Sequence, residues 1–195
     1  MNVALQKPWT IERFLAWAER QDARYEFDGV QPVAMTGGNA NHNRITGNIH
    51  AALRSRLRGT RCSYYGPDLG VQTTGSKVRY PDALITCTKF PGTEKLAPNV
   101  VVVFEVLSPT SGGTDRIEKV LEYEAVPSIR RYIIVESATA GLQVLHRDRA
   151  GDAWTVHTLT RDGVLSLPEV SIEVPVSEIY EDVTFEDATP ADHPG

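Results

Sequence analysis

Two periodicities take turns along the chain. Between Thr10 and Glu19 the apolar residues Ile11, Phe14, Leu15 and Ala18 recur at helical spacing behind a threonine suited to cap the first turn, which predicts an amphipathic opening helix. Arg24 to Phe27 and Val30 to Met35 then read as two strands around Asp28-Gly29, a two-residue hairpin signal. Gly37-Gly38-Asn39 breaks that pattern. A helix capped by Asn41 is predicted to run to about Arg58, with Ile45, Ile49, Ala52, Leu53 and Leu57 forming one apolar stripe that needs a sheet to cover.

Strands are predicted next at Cys62 to Tyr65, Gly70 to Thr73, Asp82 to Cys87 and Val100 to Leu107. The last is continuously apolar from Val100 to Phe104, the mark of a strand buried on both faces at the centre of a sheet. Ser108 to Thr114 is rich in turn formers, a second helix spans Asp115 to Ala125 before Pro127, and a strand returns at Arg131 to Glu136. Shorter strands follow at Leu142 to His146, Trp154 to Leu159 and Ser171 to Val174, and Ser177 opens a short final helix. The pattern is that of a mixed α/β (α+β) chain, one domain over residues 1–185 with a flexible acidic tail at 186–195.

Composition narrows the function class. At 195 residues and 41% hydrophobic content the chain can bury a core, and its apolar runs are far shorter than the roughly 20 residues of a membrane-spanning helix. The N-terminus lacks a signal-peptide pattern, so the expectation is a cytoplasmic protein without a membrane partner. Cys62 and Cys87 lie far apart without CxxC spacing, and reduced, partly buried thiols are expected. A net charge of -5 is the wrong sign for coating phosphate backbones through a broad basic surface, so any nucleic-acid contact must be local. Arg54, Arg56, Arg58 and Arg61, with Arg44 upstream, are the one basic concentration. They read either as the wet face of an amphipathic helix or as a phosphate-binding strip, and Arg54 and Arg58 are the candidates for the latter.

The candidate chemistry centres on two carboxylates. Glu105 follows the Val100 to Phe104 run, where an unpaired charge would cost several kcal/mol unless a metal ion, a basic side chain or backbone amides compensated it. Asp82 stands where Tyr80-Pro81 enters the strand before it, and antiparallel pairing of the two strands would bring both carboxylates out at one edge. Two converging carboxylates make a hard oxygen site suited to Mg2+ or Mn2+. Asp115, Lys119 and Tyr123 fall at i, i+4 and i+8 and share one helix face. Against that, Asp115 with Glu118 also makes a capping box, and an exposed helical lysine is ordinary.

YEFDG at Tyr25 to Gly29, the Gly-rich turn before His42, PD at Pro81-Asp82, EVLSPTS at Glu105 to Ser111 and DRIEKVLEYEAVPSIRRYIIVE from Asp115 together resemble the Uma-two family of restriction endonucleases, within the PD-(D/E)xK nuclease superfamily. The resemblance covers about residues 10–180. It implies a restriction-endonuclease-like core, a mixed sheet flanked by helices, in which Asp82 and Glu105 bind the catalytic metal. The superfamily's lysine two residues after the glutamate is Leu107 here, and in the matching segment Lys119 is its candidate replacement.

Similarity to the superfamily also offers Glu26 as an upstream acid at the metal, against its plainer reading as an outward-facing strand glutamate. His42 is either a phosphate contact or proton carrier, or a helix-start histidine bonded to nearby backbone. His50, His146, His157 and His193 show no metal-ligand spacing. Ser108 to Thr114 lacks the GK[ST] ending of a P-loop, which argues against nucleotide hydrolysis. The implied function is endonucleolytic hydrolysis of DNA, with RNA as a close variant, by a homodimer, since enzymes that cut both strands pair two copies. The competing reading is a binding module that keeps the nuclease fold without turnover.

Overall fold

The computed structural model describes residues 8–107 and 113–185. The opening helix, α1 (Ile11–Ala18), starts where Thr10 accepts a hydrogen bond from the Arg13 backbone. Strands β1 (Tyr25–Phe27) and β2 (Pro32–Ala34) form the expected hairpin, but four residues connect them rather than two, and Val30 lies in the turn. Asp28 explains the difference: its carboxylate accepts from both the Val30 and Gln31 amides at 2.7 Å, and Gly29 supplies a φ of 91°.

Helix α2 (Ala40–Leu57) buries the five stripe residues Ile45, Ile49, Ala52, Leu53 and Leu57. Its N-cap is Asn39, which accepts from the His42 amide, and not Asn41. Asn41 stands two residues too late to cap, inside the first turn, and its amide instead donates to the Thr184 carbonyl, tying the helix to the end of the described chain.

The stripe lies on a six-stranded sheet ordered β10-β9-β8-β7-β6-β3. The strands are β3 (Ser63–Tyr65), β6 (Ala83–Thr86), β7 (Val100–Leu107), β8 (Arg131–Glu136), β9 (Gly141–His146) and β10 (Thr155–Thr160). Among these pairs only β7–β8 is parallel, which is why α3 (Gly113–Glu124) must cross between them. Strand β7 is central, as its apolar run requires: Val102, Phe104 and Val106 enter the core beneath α2, while Val103 enters a second core with Tyr123 of α3. Alternation places Glu105 with Val103, on the α3 side.

A second sheet, β2-β1-β5-β4, adds β4 (Val71–Gln72) and β5 (Val78–Arg79), and packs Phe27 and Val78 on Phe14 of α1. Strand β5 is too short to carry a readable period, and so is β11 (Val164–Leu167), which pairs with β12 (Ile172–Pro175). The final helix, α4 (Val176–Ile179), begins one residue before Ser177. No helix among the described residues is long and apolar enough to cross a membrane. The Ser108 to Thr114 turn falls mostly, and the acidic tail wholly, outside the described residues.

The expectation of reduced thiols is overturned, because Cys62 and Cys87 form a disulfide. The two residues lie one step beyond the Ser63–Thr86 pair of neighbouring strands, a proximity that a sequence separation of 25 conceals. Closing a loop of that length stabilises a fold by about 3 kcal/mol through the unfolded state. Urea unfolding of the protein with and without a phosphine reductant is therefore expected to show the reduced form less stable by about that amount; coincident midpoints would count against the cross-link.

Candidate active site

The antiparallel pairing of β6 and β7 matches Ala83 with Phe104, and Asp82 and Glu105 follow one step further on at the same sheet edge. They line a common cleft of about 390 Å³ with Glu26, His42, Arg79 and Lys119. Asp82 is held from three directions. Its Oδ2 accepts from the Val106 amide at 2.8 Å, its Oδ1 lies 3.4 Å from His42 Nε2, and its backbone carbonyl lies 2.8 Å from His50 Nε2.

Glu105 is 8% exposed. Burial pushes its pKa up to about 7; the Lys119 ammonium opposes the rise, and the charges of Asp82 and Glu26 add to it. Its Oε1 accepts from the Tyr123 hydroxyl at 3.0 Å and lies 3.4 Å from Lys119 Nζ. Tyr123 is itself fully buried, and desolvation together with the Glu105 charge holds its pKa well above the usual value, so it remains a donor. Lys119 and Tyr123 thus present one face of α3 to the buried carboxylate, four residues apart. The side chain of Asp115, one turn earlier, lies outside the described residues.

Glu26 departs from its plainer reading. It is buried at 7% exposure, with Oε2 2.8 Å from an Arg79 guanidinium nitrogen and Oε1 3.6 Å from Lys119 Nζ. Arg79 also grips Glu122 of α3 with two nitrogens at 2.7 Å, and Lys77 reaches the same carboxylate at 2.8 Å. The cations hold the Glu122 pKa down against the desolvation that would raise it.

Arg79 therefore clamps β1 to α3 behind Lys119, and losing one member of such a buried network costs about 3–5 kcal/mol. Sequence reasoning missed Arg79, Glu122 and His50. The available signals were an arginine three residues before Asp82 and a histidine eight residues after His42, hence on the same helix face.

The arginine group is not brought to the cleft. Arg54 lies twelve residues beyond His42, about 18 Å along the helix at 1.5 Å per residue, and Arg58 is further still. Arg56 is bound bidentately by Glu178, at 2.8 and 2.6 Å. Arg61 lines a separate hollow beside Cys87, at the opposite end of β6 from Asp82. Near the carboxylates the cations are Lys119, Arg79 and Arg24, with His42, whose pKa is raised chiefly by its hydrogen bond to Asp82.

No cluster of three or more His, Cys, Asp or Glu side chains is arranged to hold a metal among the described residues. The two carboxylates at adjacent strand ends that could hold a cation are those of Asp82 and Glu105. That set suits a metal such as magnesium, which keeps several waters and takes one or two carboxylates plus substrate oxygens.

Comparison with known proteins bears on the family and the fold. The family described as "Uma2: Putative restriction endonuclease" matches residues 11–177. Two uncharacterized proteins of Synechocystis sp. (strain ATCC 27184 / PCC 6803 / Kazusa) are similar: one is 29% identical, covering 89% of this chain and 92% of its own, and the other is 26% identical, covering 78% and 87%. A crystal structure of a putative nuclease belonging to DUF820 from Anabaena variabilis ATCC 29413 superposes with a TM-score of 0.68 at 14% identity, covering 89% of this chain and 98% of that one. The likeness is one of fold.

His42 owes its position to Gly38. A Cβ at Gly38 would meet His42 Cγ at 2.4 Å and Cβ at 2.8 Å, too close for the ring to stay over Asp82. In metal-free protein, the His42 ring is expected to titrate above the ordinary histidine value of about 6.5, and Gly38→Ala to return it toward that value, as read by NMR across a pH series. The His42–Asp82 contact contributes stability below about 6.5 that is lost as pH rises through the raised pKa. An unchanged titration in Gly38→Ala would contradict this placement.

Proposed function

Because the chain belongs to the Uma2 family, we propose that it is a divalent-metal-dependent endonuclease hydrolysing phosphodiester bonds of DNA. The observation that carries this reading is the meeting of Asp82, Glu105 and Lys119 in one cleft, with an amine 3.4 Å from the carboxylate of a buried strand. The donor set fits the metal: both carboxylates are hard oxygen ligands, and a divalent cation would offset the burial, and the lesser repulsion from Asp82, that raise Glu105. Bound there, Mg2+ or Mn2+ would polarise the scissile phosphate and make hydroxide available near neutral pH.

The chain's own groups do the rest. Lys119 Nζ stands where it can orient the attacking water and balance developing negative charge, the task of the lysine that position 107 lacks. Tyr123 fixes the Glu105 carboxylate through its hydroxyl, and Asp82 is fixed by the Val106 amide. His42 Nε2 lies 3.4 Å from Asp82 Oδ1 and the ring lines the same cleft, so its protonated form would set a positive charge beside a bound phosphate. With Arg54 and Arg58 distant, phosphate contacts fall to Arg24, Lys119 and His42, a local positive rim on an acidic protein.

Incubating the purified protein with single-stranded, double-stranded and branched DNA, and with RNA, in magnesium, manganese or chelator tests this. Metal-dependent cleavage of DNA is expected, falling at least about 100-fold in Asp82→Asn while DNA affinity changes little, because a lost ligand acts on the transition state. Glu105 must be ionised to bind metal, so the rate is expected to fall as pH drops below about 7. Cleavage undiminished in Asp82→Asn would refute the site. No cleavage of any substrate and no metal uptake would make the protein a nuclease-fold binding module.

A further inference from the structure

A second cavity of about 360 Å³ opens beside the catalytic cleft, between the end of α1 and the first strand of the small sheet. The two hollows are continuous in a specific sense: Arg24, Met35 and Tyr80 line both. Tyr80 stands two residues before the candidate ligand Asp82, so a chain held with its phosphate in the cleft has this cavity within reach of an adjoining base.

The character of the walls differs sharply from that of the cleft. Leu15 and Ala18 from α1, with Met35, Tyr25 and Tyr80, make a largely apolar, partly aromatic lining. Tyr25 is braced from behind by Trp17, edge to face, with ring centroids 4.7 Å apart. The charged groups at the rim are mostly spoken for. Lys95 pairs with Glu19, and Arg24 lies 3.5 Å from Asp68. Asp22 enters neither pair, and it is exposed at the mouth.

Three carboxylates against two cations, one of them the Arg24 shared with the cleft, leave this cavity no surplus positive charge for a phosphate of its own. They suit a flat, neutral group that stacks on aromatic rings and offers hydrogen-bond donors to a carboxylate. A nucleobase has that chemistry: every base presents a π-face, and cytosine, adenine and guanine carry an amino group on the pairing edge where thymine and uracil carry an oxygen.

We propose that this cavity receives one unstacked nucleobase of the strand whose phosphate lies in the cleft, and that Asp22 makes it prefer a base with an amino group. The inference rests on the nucleic-acid reading of the cleft and adds a base-selective subsite to it. It makes the substrate a strand with at least one unpaired or extruded nucleotide beside the scissile bond, since a base inside a duplex reaches no pocket.

The test compares fluorescein-labelled oligo(dC) and oligo(dT) of equal length, in calcium to suppress turnover, by fluorescence anisotropy. The two pyrimidines have similar size and charge; cytosine presents an amino group where thymine presents an oxygen, and thymine adds N3–H and a 5-methyl group, so the Asp22→Asn arm isolates the part of any preference that the carboxylate supplies. Oligo(dC) is expected to bind about fivefold to tenfold tighter. Asp22→Asn, a change on an exposed loop, should bring oligo(dC) to within about twofold of oligo(dT). Ala18→Trp, which fills the cavity from the end of α1, should do the same by exclusion.

Equal affinity for the two oligonucleotides in the unaltered protein, with cleavage intact in magnesium, overturns the subsite and leaves the nuclease reading standing. A preference abolished by Asp22→Asn in a protein that cuts nothing supports the subsite and overturns the nuclease reading. Binding to neither oligonucleotide overturns the subsite, and it overturns the nuclease reading as well only when no substrate is cut and no metal is taken up.

Discussion

The structure turns on a carboxylate that the fold buries at the centre of its main sheet. Glu105 belongs to β7, whose neighbours on both sides are strands and whose faces are covered by α2 and α3. A glutamate there is tolerated only with partners, and the partners dictate much of the surrounding architecture. Tyr123 and Lys119 must come from the face of α3 that looks at the sheet. Glu26 must approach Lys119 from β1, and it brings Arg79 with it. Arg79 in turn requires Glu122, one residue before Tyr123. The small sheet, the crossover helix and the central strand are thereby joined through one chain of buried charges, and a change at any link reaches the cleft.

The same chain explains how an amine stands at the site without a lysine two residues after the glutamate. Position 107 lies on the same face of β7 as Glu105, but it holds a half-buried leucine that packs against the core under α3. An amine rising from α3 meets Glu105 from the helix side instead, while leaving the strand end apolar. What a catalytic lysine needs is reach to the reacting centre, and a helix packed over the strand provides it as well as the strand does. On the proposed reading the acidic net charge is no obstacle, because Lys119, Arg79, Arg24 and His42 are gathered within one cleft.

Much of this was readable from the chain because it is periodic. The stripe from Ile45 to Leu57 identified α2 and its buried face, the Val100 to Phe104 run identified β7 as central, and the i, i+4 spacing of Lys119 and Tyr123 placed them together. What escaped was non-local or short. Two-residue β5 has no period, so Arg79 within it looked like any arginine. Glu26 alternates with apolar neighbours as an exposed residue would, and only the packing of the small sheet on α3 buries it. Cys62 and Cys87 meet because β3 pairs with β6, a pairing that no local feature announces. The arginines after Arg54 form a cluster in sequence but sit at the end of α2 remote from His42, since a helix carries its residues away at a fixed rise.

On the proposed function, Asp82 and Glu105, held in place by Val106, Tyr123 and Lys119, form a divalent-metal centre. A crystal of the protein soaked in manganese near pH 8, where Glu105 is ionised, tests it most directly through anomalous scattering at the manganese edge. One strong peak is expected in the cleft beside Asp82 and Glu105, the residues that would hold the metal, and it should be lost in Asp82→Asn. A cleft without manganese, with Glu105 still paired to Lys119, would contradict it.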